Sequence, residues 1–191
     1  MGGISIWQIL IILIFVGAIY GIYRFAKNPP PAQSNAKGPA GVAGWLLLLV
    51  VGLMFLGPLM GAGRINADIM LAESQYPNLK DVESWQLYKS ATWWSFLVVV
   101  CLSIYAGFGL AKGRNPSVVK RAKILLWVAG PAASLVMGIL LPLFVFGELE
   151  ADPQLFGALI GSVLAAAIWT AYLSKSRRVK ATYFPVETEN A

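Results

Sequence analysis

Residues Gly44–Ala62 read GWLLLLVVGLMFLGPLMGA, a run of nineteen residues without a charged side chain. At about 1.5 Å of rise per helical residue, such a run can cross a hydrocarbon core about 30 Å thick. Four further runs of this kind occur, at Ile4–Tyr23, Ala91–Ala111, Ile124–Phe146 and Leu155–Leu173. The sequence therefore predicts an all-α fold, a polytopic membrane helix bundle with five transmembrane helices.

Composition supports this fold class. The chain is 58% hydrophobic and only 13% charged, and its mean hydropathy is +0.67. A soluble globular domain carries about 25% charged residues. Lipid is therefore the expected solvent for most of the surface.

The basic residues lie in alternate segments between the apolar runs, which predicts the orientation. Twelve basic and two acidic residues fall on one side of the predicted membrane, against three basic and seven acidic residues on the other. The twelve are Arg24, Lys27, Lys37, Lys112, Arg114, Lys120, Arg121, Lys123, Lys175, Arg177, Arg178 and Lys180. Because short loops rich in Lys and Arg remain cytoplasmic, the N-terminus is predicted outside and the C-terminus in the cytoplasm. The net charge of +6 then favours anionic lipid, and no nucleic-acid partner is expected.

The chain divides into four parts by composition. Residues 1–27 form a membrane helix, 28–41 a Pro-rich cytoplasmic linker, 42–183 a four-helix membrane domain, and 184–191 a cytoplasmic tail. Three consecutive prolines beginning at Pro29 favour a stiff polyproline II spacer in the linker.

The longest polar segment between two predicted spans is residues 63–90. Apolar residues recur in it at helical spacing on both sides of Pro77. This pattern predicts two short amphipathic helices on the outer membrane face, with Trp85, Trp93 and Trp94 at the headgroup level. In the fourth predicted span, Pro131 and Pro142 predict a kink.

Small residues are spaced for close contact between helices. Three Gly-x-x-x-Gly pairs lie inside the predicted spans, and such pairs allow two helix backbones to approach each other in lipid. They are Gly17 with Gly21, Gly57 with Gly61, and Gly157 with Gly161. We expect a compact bundle or a homo-oligomer.

Residues suited to catalysis are scarce. The chain has no histidine and one cysteine, Cys101, and its predicted spans contain no ionisable carboxylate or amine. Nucleophilic and metal-assisted catalysis both lack their usual groups. Asp68 follows Arg64 by four residues, which favours a surface ion pair. We therefore expect no enzyme activity, no catalytic residue, no cofactor and no metal.

The first residues, MGGISIWQ, and the pair Tyr20-Gly21 resemble the N-terminus of the TatA family of twin-arginine translocase subunits. In that family, a membrane helix leads through a hinge into a basic amphipathic helix. Here the Pro-rich linker replaces that second helix, so a complete pore-forming subunit is not expected. The resemblance implies helix-helix interaction through Ser5, Trp7 and Gln8.

Residues 40–185 resemble a second family, the bacterial membrane proteins of domain of unknown function 2569. Gly44-Trp45-Leu46 opens the match. Its ending, Ser176-Arg177-Arg178-Val179-Lys180-Ala181-Thr182-Tyr183, is similar to the terminal S-x-R-V-K-x-T-aromatic motif of that family. The resemblance implies a four-helix integral membrane domain with no established activity.

The same ending has the composition of a membrane anchor. Aromatic residues close the last span, and basic residues follow them within reach of lipid phosphates. The predicted headgroup-anchoring residues are Trp169, Tyr172, Lys175, Arg177, Arg178 and Lys180.

Together these features predict a multi-pass protein of the bacterial inner membrane that is not an enzyme. The leading hypothesis is an accessory or assembly subunit whose first helix associates with another membrane complex, for example the twin-arginine translocase. The alternative is a small transporter or channel component with its pathway in the four-helix bundle. A lipid- or stress-responsive structural protein is a third hypothesis. Transport predicts a continuous polar cavity across the bundle, whereas the accessory role predicts a tightly packed one.

Overall fold

The structure, a computed structural model, describes residues 16, 20, 41–147 and 153–184. In this part of the chain every regular element is a helix. Four long helices are α1 (Trp45–Gln75), α2 (Glu83–Lys112), α3 (Pro116–Phe146) and α4 (Pro153–Lys175). A short helix, α5 (Arg177–Tyr183), follows directly.

All four long helices are long and apolar enough to cross a membrane. They coincide with the four predicted spans of the 42–183 domain. The first predicted span, the linker before Gly41 and the tail after Phe184 lie outside the described residues, apart from Val16 and Tyr20 in the span. The five-helix count and the orientation therefore stay predictions.

The predicted pair of short helices in residues 63–90 is wrong. Helix α1 continues without interruption to Gln75, and α2 begins already at Glu83. Only a 3-10 turn, Pro77–Asp81, separates them. The polar residues after Ala62 end the apolar run but remain good helix formers, so the helices extend beyond the membrane-spanning length. The segment is helical as expected, but as extensions of two spans.

Two of the long helices contain wider π-helical turns. One lies in α1 at Gly52–Leu56, and two lie in α3 at Val128–Ala132 and Val136–Leu140. Pro131 falls inside the second of these turns. Because proline has no N–H and clashes with the preceding turn, the regular hydrogen-bond ladder of α3 is broken there. These π turns lie where the sequence predicts a kink, and the kink itself stays a prediction.

The four helices run up and down, which gives the bundle two chemically different ends. We call the end with the α2–α3 connection and α5 the basic end, and the end with the α1–α2 turn the acidic end. At the basic end the Trp45 and Trp169 rings are 6.5 Å apart, and at the acidic end the Tyr88 and Phe146 rings are 5.3 Å apart. Gly147 ends α3 at a φ of 76°, a left-handed conformation that glycine adopts readily.

Close packing is concentrated at the basic end. A cluster of buried apolar side chains joins all four long helices and α5 there. It contains Leu46, Leu49, Val50, Leu110, Ala111, Val119, Ala122, Leu126, Leu173, Val179 and Tyr183. Towards the acidic end the helices separate around a cavity, which is the main irregularity of the bundle.

Candidate functional site

The cavity between the helices has a volume of about 1050 Å³ and lies in the half of the bundle nearer the acidic end. Helices α1, α2 and α3 form most of its wall, and the first turns of α4 complete it. Helix α1 packs mainly on α2, and α4 packs mainly on α3. We call this space the bundle cavity.

Polar side chains line the mouth of the bundle cavity. Arg64 and Asp68 lie one turn apart on α1, and Arg64 Nε is 3.7 Å from Asp68 Oδ2. Their side chains are 60% and 68% exposed. Gln75 and Gln154 add two amide groups from α1 and α4. The Arg64–Asp68 pair predicted from the sequence is present, and it belongs to the cavity mouth.

A second polar contact holds the α1–α2 hairpin together beside the mouth. The Glu73 carboxylate accepts hydrogen bonds from Lys89 Nζ at 2.6 Å and from Trp85 Nε1 at 3.1 Å. Trp85 is 8% exposed and stacks on Tyr88 at 5.5 Å between ring centroids. Because one carboxylate bridges two donors on α2, the extension of α1 is fixed against the start of α2.

The deeper wall of the bundle cavity is mainly apolar. Phe96 and Val99 on α2 and Met137 on α3 line it. Two hydroxyl groups, Ser103 and Ser134, also line it. Among the described residues, neither hydroxyl has a hydrogen-bond partner, in contrast to Ser162, which donates to the carbonyl of Leu159. These two hydroxyls are available to a molecule inside the cavity.

The bundle cavity does not continue through the basic end. The buried cluster around Leu46, Leu110 and Leu126 fills that half of the described bundle. The bundle cavity is therefore a half-open space, with a polar mouth and a mostly apolar depth, that ends at this packed cluster. The continuous polar passage expected for a channel is not present in the described residues.

Helix α5 closes the basic end through the family-like ending of the chain. The Tyr183 hydroxyl, fully buried, donates to the carbonyl of Leu110 at the end of α2. Thr182 Oγ1 accepts from the Gly41 N–H at 2.9 Å, and Ser176 Oγ accepts from the Val179 N–H. The ending thus joins the last residues of the domain to its first. Burial raises the pKa of Tyr183 to about 12, so the hydroxyl remains a donor at physiological pH.

The predicted headgroup-anchoring residues divide into two groups. The side chains of Lys175, Arg177 and Lys180 are exposed, and Arg178 is half-buried. Trp169 and Tyr172 are half-buried and pack on each other, with ring centroids 5.9 Å apart. The basic residues are thus free to meet phosphates, while the aromatic residues also pack against the buried cluster.

The predicted glycine pairs differ in their surroundings. A Cβ at Gly61 would lie 2.6 Å from Phe96 of α2, and one at Gly57 would lie 3.0 Å from the Gly52 carbonyl in the same helix. Gly157 and Gly161 have open space around them. The other residues predicted for helix-helix interaction lie outside the described residues. They are Ser5, Trp7, Gln8, Gly17 and Gly21.

Sequence reasoning missed the tightest glycine contact between α1 and α2. A Cβ at Gly107 would lie 2.5 Å from Met54 Cγ and 3.3 Å from the Val50 carbonyl of α1. The available signal was the spacing of Gly107 and Ala111, two small residues four apart that are both buried. Reasoning also missed the bundle cavity, because hydropathy shows where helices lie and not how far apart they pack.

Groups that could hold a metal are not found in the described residues, since no three His, Cys, Asp or Glu side chains converge there. The single cysteine, Cys101, is exposed on α2. The site is therefore defined by shape, apolar surface and the polar mouth.

Comparison with known proteins gives a family but no activity. No curated protein and no solved structure matches the chain. The model of a family described as protein of unknown function (DUF2569) matches residues 39–184. The match covers the four long helices and α5 and leaves out the first predicted span. Because it spans more than half of the chain, this membrane-type helical protein belongs to the DUF2569 family.

Proposed function

We propose that the protein is a non-enzymatic membrane protein that binds an amphipathic molecule in the bundle cavity. The observation that carries this proposal is the two-part lining of the cavity, with charged and amide groups in one part and mostly apolar side chains in the other. A molecule with a polar head and an apolar body matches both regions.

The dimensions of the bundle cavity support a bound molecule. Pockets for small ligands have volumes of about 300–1000 Å³, with mostly apolar walls and a few polar groups. A volume of about 1050 Å³ lies just above this range. Burial of apolar ligand surface stabilises a complex by about 25 cal/mol per Å² before the cost of association is subtracted. An alkyl chain would also supply the packing that the separated helices lack.

The non-enzymatic part of the proposal rests on the sequence. The chain has no histidine, and the cavity wall offers serine hydroxyls without a neighbouring base. Serine is a weak nucleophile unless a base removes its proton. Ser103 and Ser134 therefore serve as hydrogen-bonding groups for the bound molecule.

A photoactivatable fatty acid of sixteen carbons, incorporated into membranes containing the protein, tests the proposal. We expect labelling of cavity residues such as Phe96 and Met137, mapped by peptide mass spectrometry. Ala133 lines the cavity, and its neighbour Ala132 is exposed outside it. Ala133→Trp should reduce labelling of the cavity residues at least fivefold, whereas Ala132→Trp should leave it unchanged.

The comparison of these two variants decides the result, because both add the same ring to neighbouring positions of α3. Equal labelling in the two variants, or labelling confined to exposed residues such as Leu164, would contradict binding in the cavity. Ala158→Phe, which fills the cavity from α4, is a second variant in case Ala133→Trp does not fold.

A second proposal concerns the first predicted helix, residues 1–27. We propose that it makes the protein an accessory subunit of another membrane complex, with the twin-arginine translocase as the candidate named by resemblance. The family match begins only at residue 39, so this helix and the linker are additions to the family domain.

Crosslinking in native membranes tests this second proposal. A photoreactive group at Gln8 should capture another membrane protein, and one at Leu164 on α4 is the control. Capture of translocase subunits from Gln8 alone supports the proposal. If both positions capture only lipid or further copies of this chain, the accessory role is contradicted and the first helix is a membrane anchor. The same experiment in a bacterial host tests the proposed inner-membrane localisation.

A further inference from the structure

We infer that the molecule bound in the bundle cavity is a phospholipid whose phosphate is held by Arg64. This inference rests on the proposed function and specifies its ligand class. Among the described residues that line the cavity, Arg64 is the only one with a positive charge. It lies at the polar mouth, where the head group of an inserted amphiphile would remain.

The N–H donors of the Arg64 guanidinium group make no hydrogen bond within the described residues. Its contact with Asp68 is 3.7 Å from Nε to Oδ2, longer than a hydrogen bond, and Arg64 makes no hydrogen bond within the described part of the chain. Arginine carries five N–H donors in a planar fork that matches the oxygens of a phosphate. Arg64 can therefore bind a phosphate without giving up a hydrogen bond, although Asp68 remains a competing charge beside it.

The position of Arg64 along α1 agrees with a lipid head group. Arg64 follows Trp45 by nineteen residues, or about 29 Å at 1.5 Å per residue. This is the thickness of the hydrocarbon core of a bilayer, so Arg64 reaches one headgroup level when Trp45 lies at the other. A phosphate at Arg64 would place the acyl chains beside Phe96 and Met137, in the apolar depth of the cavity.

Asp68 gives the inference a test in which two variants act in opposite directions. Its carboxylate competes with a phosphate for the same guanidinium group. Arg64→Gln and Asp68→Asn both break the Arg64–Asp68 pair. A purely structural pair predicts the same effect for both, whereas phosphate binding predicts that Arg64→Gln weakens binding and Asp68→Asn strengthens it.

Native mass spectrometry of the full chain in detergent measures the required affinities. The probes are dioleoyl phosphatidylglycerol, dioleoylglycerol with the same chains but no phosphate, and inorganic phosphate as a competitor. We expect the wild type to bind the phospholipid about tenfold more tightly than dioleoylglycerol. Arg64→Gln should abolish this preference, Asp68→Asn should increase it about threefold, and Lys80→Gln, an exposed basic residue outside the cavity, should leave it unchanged.

The outcomes separate the ligand class from the proposed function. In one outcome, the wild type binds the two lipids with equal affinity, and Ala133→Trp binds neither. This result would overturn the phosphate assignment and leave cavity binding in place. Binding of both lipids that is unaffected by Ala133→Trp would overturn cavity binding itself. Displacement of the phospholipid by millimolar inorganic phosphate would show that free phosphate is the ligand of Arg64, and would overturn the lipid assignment.

Discussion

At the scale of single residues, two buried contacts define the basic end. Tyr183 donates to the Leu110 carbonyl, and the Gly107 backbone lies directly against α1. Both contacts join segments that are distant in sequence. Removing the Tyr183 hydroxyl would leave a buried carbonyl without its donor, and a methyl group at Gly107 would push α1 and α2 apart. Either change is therefore expected to destabilise the packing of the basic end.

Tyr183→Phe removes the hydroxyl and leaves the Leu110 carbonyl without this donor. We expect a loss of about 1–2 kcal/mol of unfolding free energy, the typical cost of leaving one buried polar group unpaired. Thermal unfolding in detergent, followed by circular dichroism, measures it. Tyr76→Phe is the control, because Tyr76 is 65% exposed and its hydroxyl makes no hydrogen bond within the described residues.

The pH dependence checks the same contact. Since the pKa of Tyr183 is raised to about 12, this group stabilises the fold below pH 10, and that contribution is lost as the pH rises towards 12. The difference in stability between wild type and Tyr183→Phe should shrink over this interval. A difference that stays constant from pH 8 to pH 12 would contradict the buried, protonated hydroxyl.

Gly107→Ala should destabilise the bundle by about 1–3 kcal/mol, the usual cost of overpacking. The added methyl group would lie 2.5 Å from Met54 and 3.3 Å from the Val50 carbonyl. Gly161→Ala is the matched control on α4, where nothing lies within 4 Å. Because alanine is the better helix former, Gly161→Ala should be neutral or stabilising. Equal losses in the two variants would contradict the close approach of α1 and α2.

At the scale of helices, the extensions of α1 and α2 form a hairpin that carries one side of the cavity mouth. The Glu73–Lys89 contact at 2.6 Å holds this hairpin, and both side chains are largely buried, with 17% and 21% exposure. The Arg64–Asp68 pair on α1 is longer and mostly exposed. Only the first pair connects two helices.

A double-mutant cycle compares the two pairs. We expect the coupling energy between Glu73→Gln and Lys89→Met to exceed that between Arg64→Gln and Asp68→Asn, because solvent screens the exposed pair. Chemical denaturation in mixed micelles provides the four stabilities of each cycle. A larger coupling for the exposed pair would contradict the hairpin as described.

Much of the helix layout was predictable from sequence, for a simple physical reason. Long apolar runs must be helical in lipid, and charged residues such as Lys112 and Lys175 mark where they end. The continuation of α1 beyond Ala62 was missed because hydropathy indicates whether a segment lies in lipid or in water. It does not indicate whether the backbone of that segment is helical. The inward positions of Thr182 and Tyr183 were also missed, because their motif resembles an interfacial anchor. In addition, the Gly41 N–H that donates to Thr182 and the Leu110 carbonyl that accepts from Tyr183 lie far away in sequence.

At the scale of the whole molecule, the bundle combines a packed basic end with a hollow acidic end. The predicted orientation places the basic end in the cytoplasm, so the mouth of the bundle cavity faces outwards. Its ligand would then come from the outer leaflet or from the external solution. The predicted orientation depends only on the distribution of basic residues, so it is tested separately.

Labelling with a membrane-impermeant maleimide tests the orientation. In a Cys101→Ser background, Lys80→Cys should react in intact cells, and Lys180→Cys should react only after permeabilisation. Gly2→Cys should behave like Lys80→Cys if the first predicted span crosses the membrane. The reverse pattern for positions 80 and 180 would invert the bundle.

The most direct test of the central claim is an experimental structure of the full chain in lipid nanodiscs, enlarged by a rigid fusion partner for electron cryomicroscopy. We expect elongated non-protein density in the bundle cavity, between Phe96 and Met137, with its polar end at Arg64. A bundle in which α1 and α4 close on each other, or a cavity that holds only water, would contradict it.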